Sequence, residues 1–115
     1  MMKLSDIVKA IDGEVLCCED QLDMEVRFGF SSDLMSDVLT LRDDDILLIT
    51  GLANIQSIRT AELSDINAIV LVRNKVATDQ MIDMAADAGI VLITTKYSMF
   101  KTSGLLYAAG LSPIY

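Results

Sequence analysis

Ile46-Leu47-Leu48-Ile49-Thr50-Gly51-Leu52-Ala53-Asn54 is an apolar run closed by a turn, and Asn54 opens a segment of helical periodicity that reaches about Leu63. The pattern recurs twice downstream. Ala68–Val72 leads through Arg73-Asn74-Lys75 to a helix capped by Thr78, in which Met81, Met84, Ala85 and Ala88 share a face. Ile90–Thr94 leads through Thr95-Lys96-Tyr97 to a helix capped by Ser98, which runs to about Ala109 and stops at Gly110. Short apolar runs without polar alternation are strands buried on both faces. Strands alternating with helices build a parallel sheet. The expected fold is therefore α/β: three layers, with a mainly parallel sheet and helices on both faces.

Upstream, Ser5 is a helix N-cap residue type, and Leu4, Ile7, Val8 and Ile11 fall on one helical face. Gly13 is expected to end that helix as a left-handed cap. Glu14–Cys18 reads as a strand and Glu19-Asp20-Gln21 as a polar turn, with Leu22–Met24 a short extended link. Glu25–Ser31 alternates, with Val26, Phe28 and Phe30 on one side, and reads as a single half-buried strand. These two strands either join the main sheet or form a small lobe beside it. Ser31-Ser32-Asp33 offers a cap for a short helix whose apolar face is Leu34, Met35, Val38 and Leu39.

At 115 residues the chain is a single domain, residues 1–115. Hydrophobic residues make up 52% and mean hydropathy is +0.45, yet no apolar run approaches the roughly 18–20 residues that span a bilayer. The apolar excess belongs in a doubly covered sheet and against a second subunit. A homodimer is expected, with Phe28, Phe30 and the Leu34–Leu39 helix as its candidate contact. Seventeen acids against nine bases give a net charge of −8, which excludes nucleic acid and anionic membrane as expected partners. The N-terminus has no signal-peptide character, so the expected location is cytoplasmic.

Chemistry is poorly represented. The chain has no histidine, no phosphate-binding lysine loop and no Ser-x-x-Lys, so a serine nucleophile lacks a base. Cys17 and Cys18 are adjacent, a spacing that suits neither zinc nor a dithiol redox pair; core packing is the expected role, a redox sensor the minor one. Asp43-Asp44-Asp45 lacks the alternation of a calcium loop and reads as a solvated turn. No cofactor and no metal is expected.

Parallel strands with right-handed crossovers place all their C-terminal ends on one edge, where open α/β sheets bind ligands. That edge collects Thr50, Gly51, Leu52, Ala53 and Asn54, then Arg73 and Lys75, then Thr95, Lys96 and Ser98. Arg73, Lys75 and Lys96 would neutralise an anion. Gly51–Asn54 and Ser98 would donate hydrogen bonds at helix N-termini. Gly51 is also the residue type that a tight turn with positive φ needs.

Phe30-Ser31-Ser32-Asp33-Leu34-Met35-Ser36-Asp37-Val38-Leu39, then Ile46–Asn54, then Ile58-Arg59-Thr60-Ala61-Glu62, resemble a DRTGG domain. The resemblance runs from about Ile7 to Leu111, and Ser98-Met99-Phe100 with Gly104-Leu105-Leu106 is similar to stand-alone members. It implies a fold like the N-terminal domain of HPr kinase/phosphorylase, without kinase activity, since the phosphate-loop domain is missing. Such domains also occur between CBS modules in some inorganic pyrophosphatases and within some phosphate acetyltransferases. In that company they look like regulatory or dimer-forming modules. Where many members carry Gly-Asp-Arg after the position of Thr50, this chain has Gly51-Leu52-Ala53-Asn54.

Together these readings predict a non-catalytic regulatory module that binds a nucleotide or phosphorylated metabolite at the sheet edge. The alternative is a module for protein interaction or dimerisation with no small ligand.

Overall fold

All five residues of the run Ile46–Thr50 are buried, as a strand covered on both faces requires. The computed structural model describes residues 1–115. In order, the elements are β1 (Met2–Lys3), α1 (Leu4–Ala10), β2 (Glu14–Cys17), a 3-10 turn (Glu19–Gln21), β3 (Glu25–Val26), β4 (Phe28–Ser31), α2 (Met35–Val38) and β5 (Ile46–Thr50). There follow α3 (Ile55–Leu63), β6 (Ala68–Leu71), α4 (Asp79–Ala88), β7 (Val91–Thr94), α5 (Met99–Ala109) and β8 (Ser112–Pro113).

Six strands form the main sheet in the order β2-β7-β6-β5-β4-β8. All neighbours are parallel except β2, which runs antiparallel to β7. The register sets Phe30 beside Leu48, Leu48 beside Ile69 and Ile69 beside Leu92. From β4 to β7 the chain steps across the sheet in one direction, so right-handed crossovers put α2, α3 and α4 on one face. From β7 it returns to β8 at the far side, and the same handedness puts α5 on the opposite face with α1.

Two cores follow from this layering. Met35, Val38, Ile58, Ala61, Met81 and Ala85 pack on Leu48, Ile69 and Leu92. Leu4, Ile7, Ile11 and Leu106 pack on Leu47, Val70 and Ile93. Alternate residues of each strand thus serve opposite cores.

Several local expectations change. Glu25–Ser31 is two strands: β3 pairs antiparallel with β1, while β4 joins the main sheet. The Arg27 and Phe28 amides both donate to the Asp45 carbonyl, at 2.7 and 3.1 Å, and the doubled contact breaks the alternation. Val26 consequently faces the α1–α5 core while Phe28 and Phe30 pack on the α2 side. Helix α1 begins at Leu4 with Lys3 as N-cap, and Ser5 does not cap it. The Leu4 and Ser5 amides instead donate to Met24 and Leu22 carbonyls, at 2.9 and 3.0 Å. Asp12, not Gly13, takes the left-handed conformation after it, with φ 50°.

The strand from Glu14 ends at Cys17, because Cys18 is left-handed with φ 61°. Helix α2 is one turn whose N-cap is Leu34; Met35 and Val38 are buried but Leu34 and Leu39 are exposed. Of the upstream strands, β2 and β4 thus join the main sheet, and only β3 pairs with β1 in a small lobe. Strand β8 is additional to the strands expected from the sequence: Pro113 sits on the sheet edge, where a missing N–H costs no ladder bond.

Candidate ligand site at the carboxyl edge of the sheet

The C-terminal ends of β4, β5, β6 and β7 lie on one edge because the four strands are parallel. Successive loops there are Ser32–Leu34, Gly51–Asn54, Val72–Thr78 and Thr95–Ser98. All ten residues expected to bind a ligand are therefore at this edge, but they have different occupations.

Thr50 is fully buried. Its hydroxyl donates to Asp33 Oδ1 at 3.0 Å and accepts the Leu52 amide at 3.1 Å. The Gly51 amide donates to the same carboxylate oxygen at 2.6 Å. The Ala53 and Asn54 amides donate back to Gly51 and Leu52 carbonyls. Every backbone donor of Gly51–Asn54 is thus engaged within the chain. Gly51 is not left-handed, since the positive-φ glycines are Gly89 and Gly110. A Cβ at Gly51 would lie 3.4 Å from Asp33 Oδ1, an ordinary van der Waals contact, so the carboxylate does not itself require a glycine there. Asp33, read from sequence as part of a cap, is the residue that organises this turn. The missed signal is tertiary, seventeen residues away from Thr50.

The Asn54 side chain accepts the Ser57 amide at 3.1 Å and caps α3, as its position predicts. Thr78 and Ser98 cap α4 and α5 in the same way. The next free donors are therefore the first-turn amides of α3 and α4. Ala53, Asn54, Ile55, Gln56, Thr78 and Gln80 line a groove of about 460 Å³ between these two helix N-termini.

The reversal of chain direction falls between β6 and β7: the loop after β6 leads to α4 on one face, and the loop after β7 leads to α5 on the other. Such a switch point normally opens a crevice. Here it is bridged. The Arg73 amide donates to Tyr97 O at 2.8 Å and the Asn74 amide to Thr95 O at 2.9 Å. Arg73 and Asn74 are both left-handed, with φ 61° and 57°, the conformation that lets both amides turn toward the neighbouring loop. Thr95 is buried; its hydroxyl donates to Ile11 O at 2.7 Å and accepts the Tyr97 amide at 3.2 Å, pinning the loop to α1.

The interlocked loops present Arg73, Lys75 and Lys96 as exposed side chains. Lys101 joins them from the first turn of α5, with Nζ 3.7 Å from the Tyr97 ring centre. None of the four is paired with a carboxylate; the one ion pair in the chain is Lys3–Asp23 at 3.9 Å, far exposed. Lys75 also lines a groove of about 210 Å³ shared with Glu14, Leu16 and Ile82.

These features define an α/β module with a cation-bearing carboxyl edge and a closed switch point. Comparison with known proteins gives its family. The DRTGG domain model matches residues 6–109, and the chain belongs to that family. It is similar in structure to the CBS and DRTGG domains of the regulatory region of Clostridium perfringens pyrophosphatase, solved with its activator diadenosine tetraphosphate. The TM-score is 0.77 at 14% identity over 97% of this chain. This chain spans 48% of that one, about half its length. No curated protein matches the sequence.

Proposed function

We propose that this chain is a non-catalytic regulatory module, working as a homodimer in the cytoplasm, that binds a small anionic metabolite or nucleotide at the carboxyl edge. The observation that carries the reading is the cluster of Arg73, Lys75, Lys96 and Lys101 at that edge, exposed and without carboxylate partners, in a chain of net charge −8. Unpaired exposed cations attract an anion locally, against the repulsion of the net negative charge. The groove between the α3 and α4 N-termini has a volume typical of small-molecule sites and offers free amides beside it. Its likeness to a regulatory region solved with a dinucleoside polyphosphate supports the same ligand class.

The test is a thermal-shift screen against adenine and guanine nucleotides, dinucleoside polyphosphates and phosphorylated sugars. A ligand at a hundred times its dissociation constant stabilises by about 2.7 kcal/mol. Replacing Arg73 and Lys96 together by alanine should remove that shift without lowering the melting temperature of the free protein. A shift that survives the double substitution rules out this edge.

A second reading is favoured by one observation, the hydrogen-bonded closure of the switch point. A module whose crevice is shut is suited to docking alone, and an empty screen with a stable co-purifying protein would select it.

A further inference from the structure

We infer that the outer face of α5 is the contact surface of the homodimer, packed helix against helix across a twofold axis near Gly104. The inference rests on the dimeric part of the reading above, and Lys101 is the one residue it shares with the cationic edge.

Helix α5 buries only Thr102 and Leu106 fully. Its other sides are apolar too: Phe100 is 91% exposed, Tyr107 68% and Leu105 36%, with Gly104 and Ala108 also exposed. Lys101 is its sole charged residue. A helix with a second apolar face beside its core face buries that face in its working state. Phe100, Gly104, Tyr107 and Ala108 fall at i, i+4, i+7 and i+8, a single face opposite Thr102 and Leu106.

Charge selects a second copy as the occupant. All seventeen acids precede residue 88, and residues 88–115 carry only Lys96 and Lys101 as charges. The opposite face of the molecule bears Asp37, Glu62, Asp79, Asp83 and Asp87 on α2, α3 and α4 against Arg59 alone, so two copies meeting there would repel, and α5 replaces the contact through Phe28, Phe30 and the Leu34–Leu39 helix expected from the sequence. Two α5 faces meet without a single carboxylate from either helix. In an antiparallel pair, Lys101 of each copy also approaches the C-terminal half of the other helix, whose dipole favours a cation.

The face is self-complementary. The ridge Phe100–Gly104–Ala108 runs large, small, small. Crossing two such ridges at Gly104 sets Phe100 of one copy over Ala108 of the other, and the twofold axis repeats the contact. A Cβ built at Gly104 meets nothing within 4 Å, so the position is open in the single chain. Two exposed aromatic rings with their aliphatic neighbours present on the order of 500 Å² per copy. Joined, they bury roughly 1,000 Å², the lower bound for a specific interface. The dimer should accordingly depend on concentration.

Sedimentation equilibrium of the full chain from about 1 µM to about 1 mM tests this, because interfaces near the lower size bound associate weakly. Wild type should approach twice the 12.6 kDa chain mass at the upper end. Phe100→Glu and Gly104→Glu should each weaken association at least tenfold, with unchanged circular dichroism; the open space at Gly104 keeps that variant folded. Leu63→Glu, on the far face, should leave it unchanged. A dimer untouched by both α5 substitutions overturns the interface and leaves the homodimer standing. A wild-type monomer at the highest concentration overturns both. Binding of α5 to phosphatidylcholine vesicles without self-association overturns the inference in favour of a lipid surface.

Discussion

Asp33 Oδ1 accepts the Gly51 amide at 2.6 Å and the Thr50 hydroxyl at 3.0 Å, so a carboxylate of the chain itself takes up the donors of this turn. Hydrogen bonds to a charged acceptor are stronger than neutral ones, though Asp33 is exposed and water replaces part of what is lost. Asp33→Ala should therefore destabilise by about 1–2 kcal/mol in urea unfolding. It should also free the Gly51 amide, so that phosphate stabilises the variant more than wild type. Equal stabilisation would mean that the turn collapses once the carboxylate is gone.

Cys18 makes a second residue-scale case. Burial, then the neighbouring Cys17 thiol, pushes its pKa from 9.0 up to about 11. The folded chain keeps this proton where the unfolded chain has released it. That contribution to stability is full below about pH 9 and is lost as pH rises toward 11. Thiolate is the reactive form. Cys18 should thus react with a disulfide reagent at pH 8 far more slowly in the folded protein than after unfolding. Fast labelling of the native protein would revive the redox-sensor role.

At the scale of elements, two glycines separate packing from propensity. An added Cβ at Gly29 in β4 would lie 2.8 Å from Leu111 Cδ2, in the seam where α5 hands over to β8. Gly29→Ala should cost about 1 kcal/mol by overpacking, the low end of the usual range, because the Leu111 methyl can shift. At Gly104 nothing opposes a Cβ, and Gly104→Ala should stabilise the dilute monomer by about 0.5–1 kcal/mol through helix propensity. Chemical denaturation of both variants checks the opposite signs.

The same contrast explains what could be read from the sequence. Strands β5, β6 and β7, the caps Asn54, Thr78 and Ser98, and the stop Gly110 are set by neighbours within a few residues, and they were legible. The break at Arg27 was not, because alternation runs through it and its cause is a carbonyl eighteen positions away at Asp45. Likewise the edge was legible from topology. Its internal hydrogen bonds were not: Asp33 to Gly51 and Arg73 to Tyr97 are contacts between loops that only the folded sheet brings together.

At the scale of the whole molecule, charge is nearly uncompensated. One exposed ion pair serves a chain of net charge −8, within extents of 33 × 28 × 24 Å. The screening length is about 30 Å at 0.01 M salt, comparable to the molecule, and about 3 Å at 1 M. Self-repulsion is therefore felt across the whole fold at low salt and suppressed at high salt. Sodium chloride should raise the melting temperature of the free protein, and a fall would mean that the few favourable charge contacts outweigh the repulsion.

A polyanion held by Arg73, Lys75 and Lys96 should respond in the opposite sense, because salt screens the attraction to those exposed cations. The stabilisation that it gives should shrink over the same range in which the free protein becomes more stable. Opposite slopes, measured in one titration, separate binding at the cationic edge from general screening. If the ligand-induced shift held constant as salt rose, contacts other than the exposed cations would be holding the ligand, and the groove between α3 and α4 would become the place to substitute next.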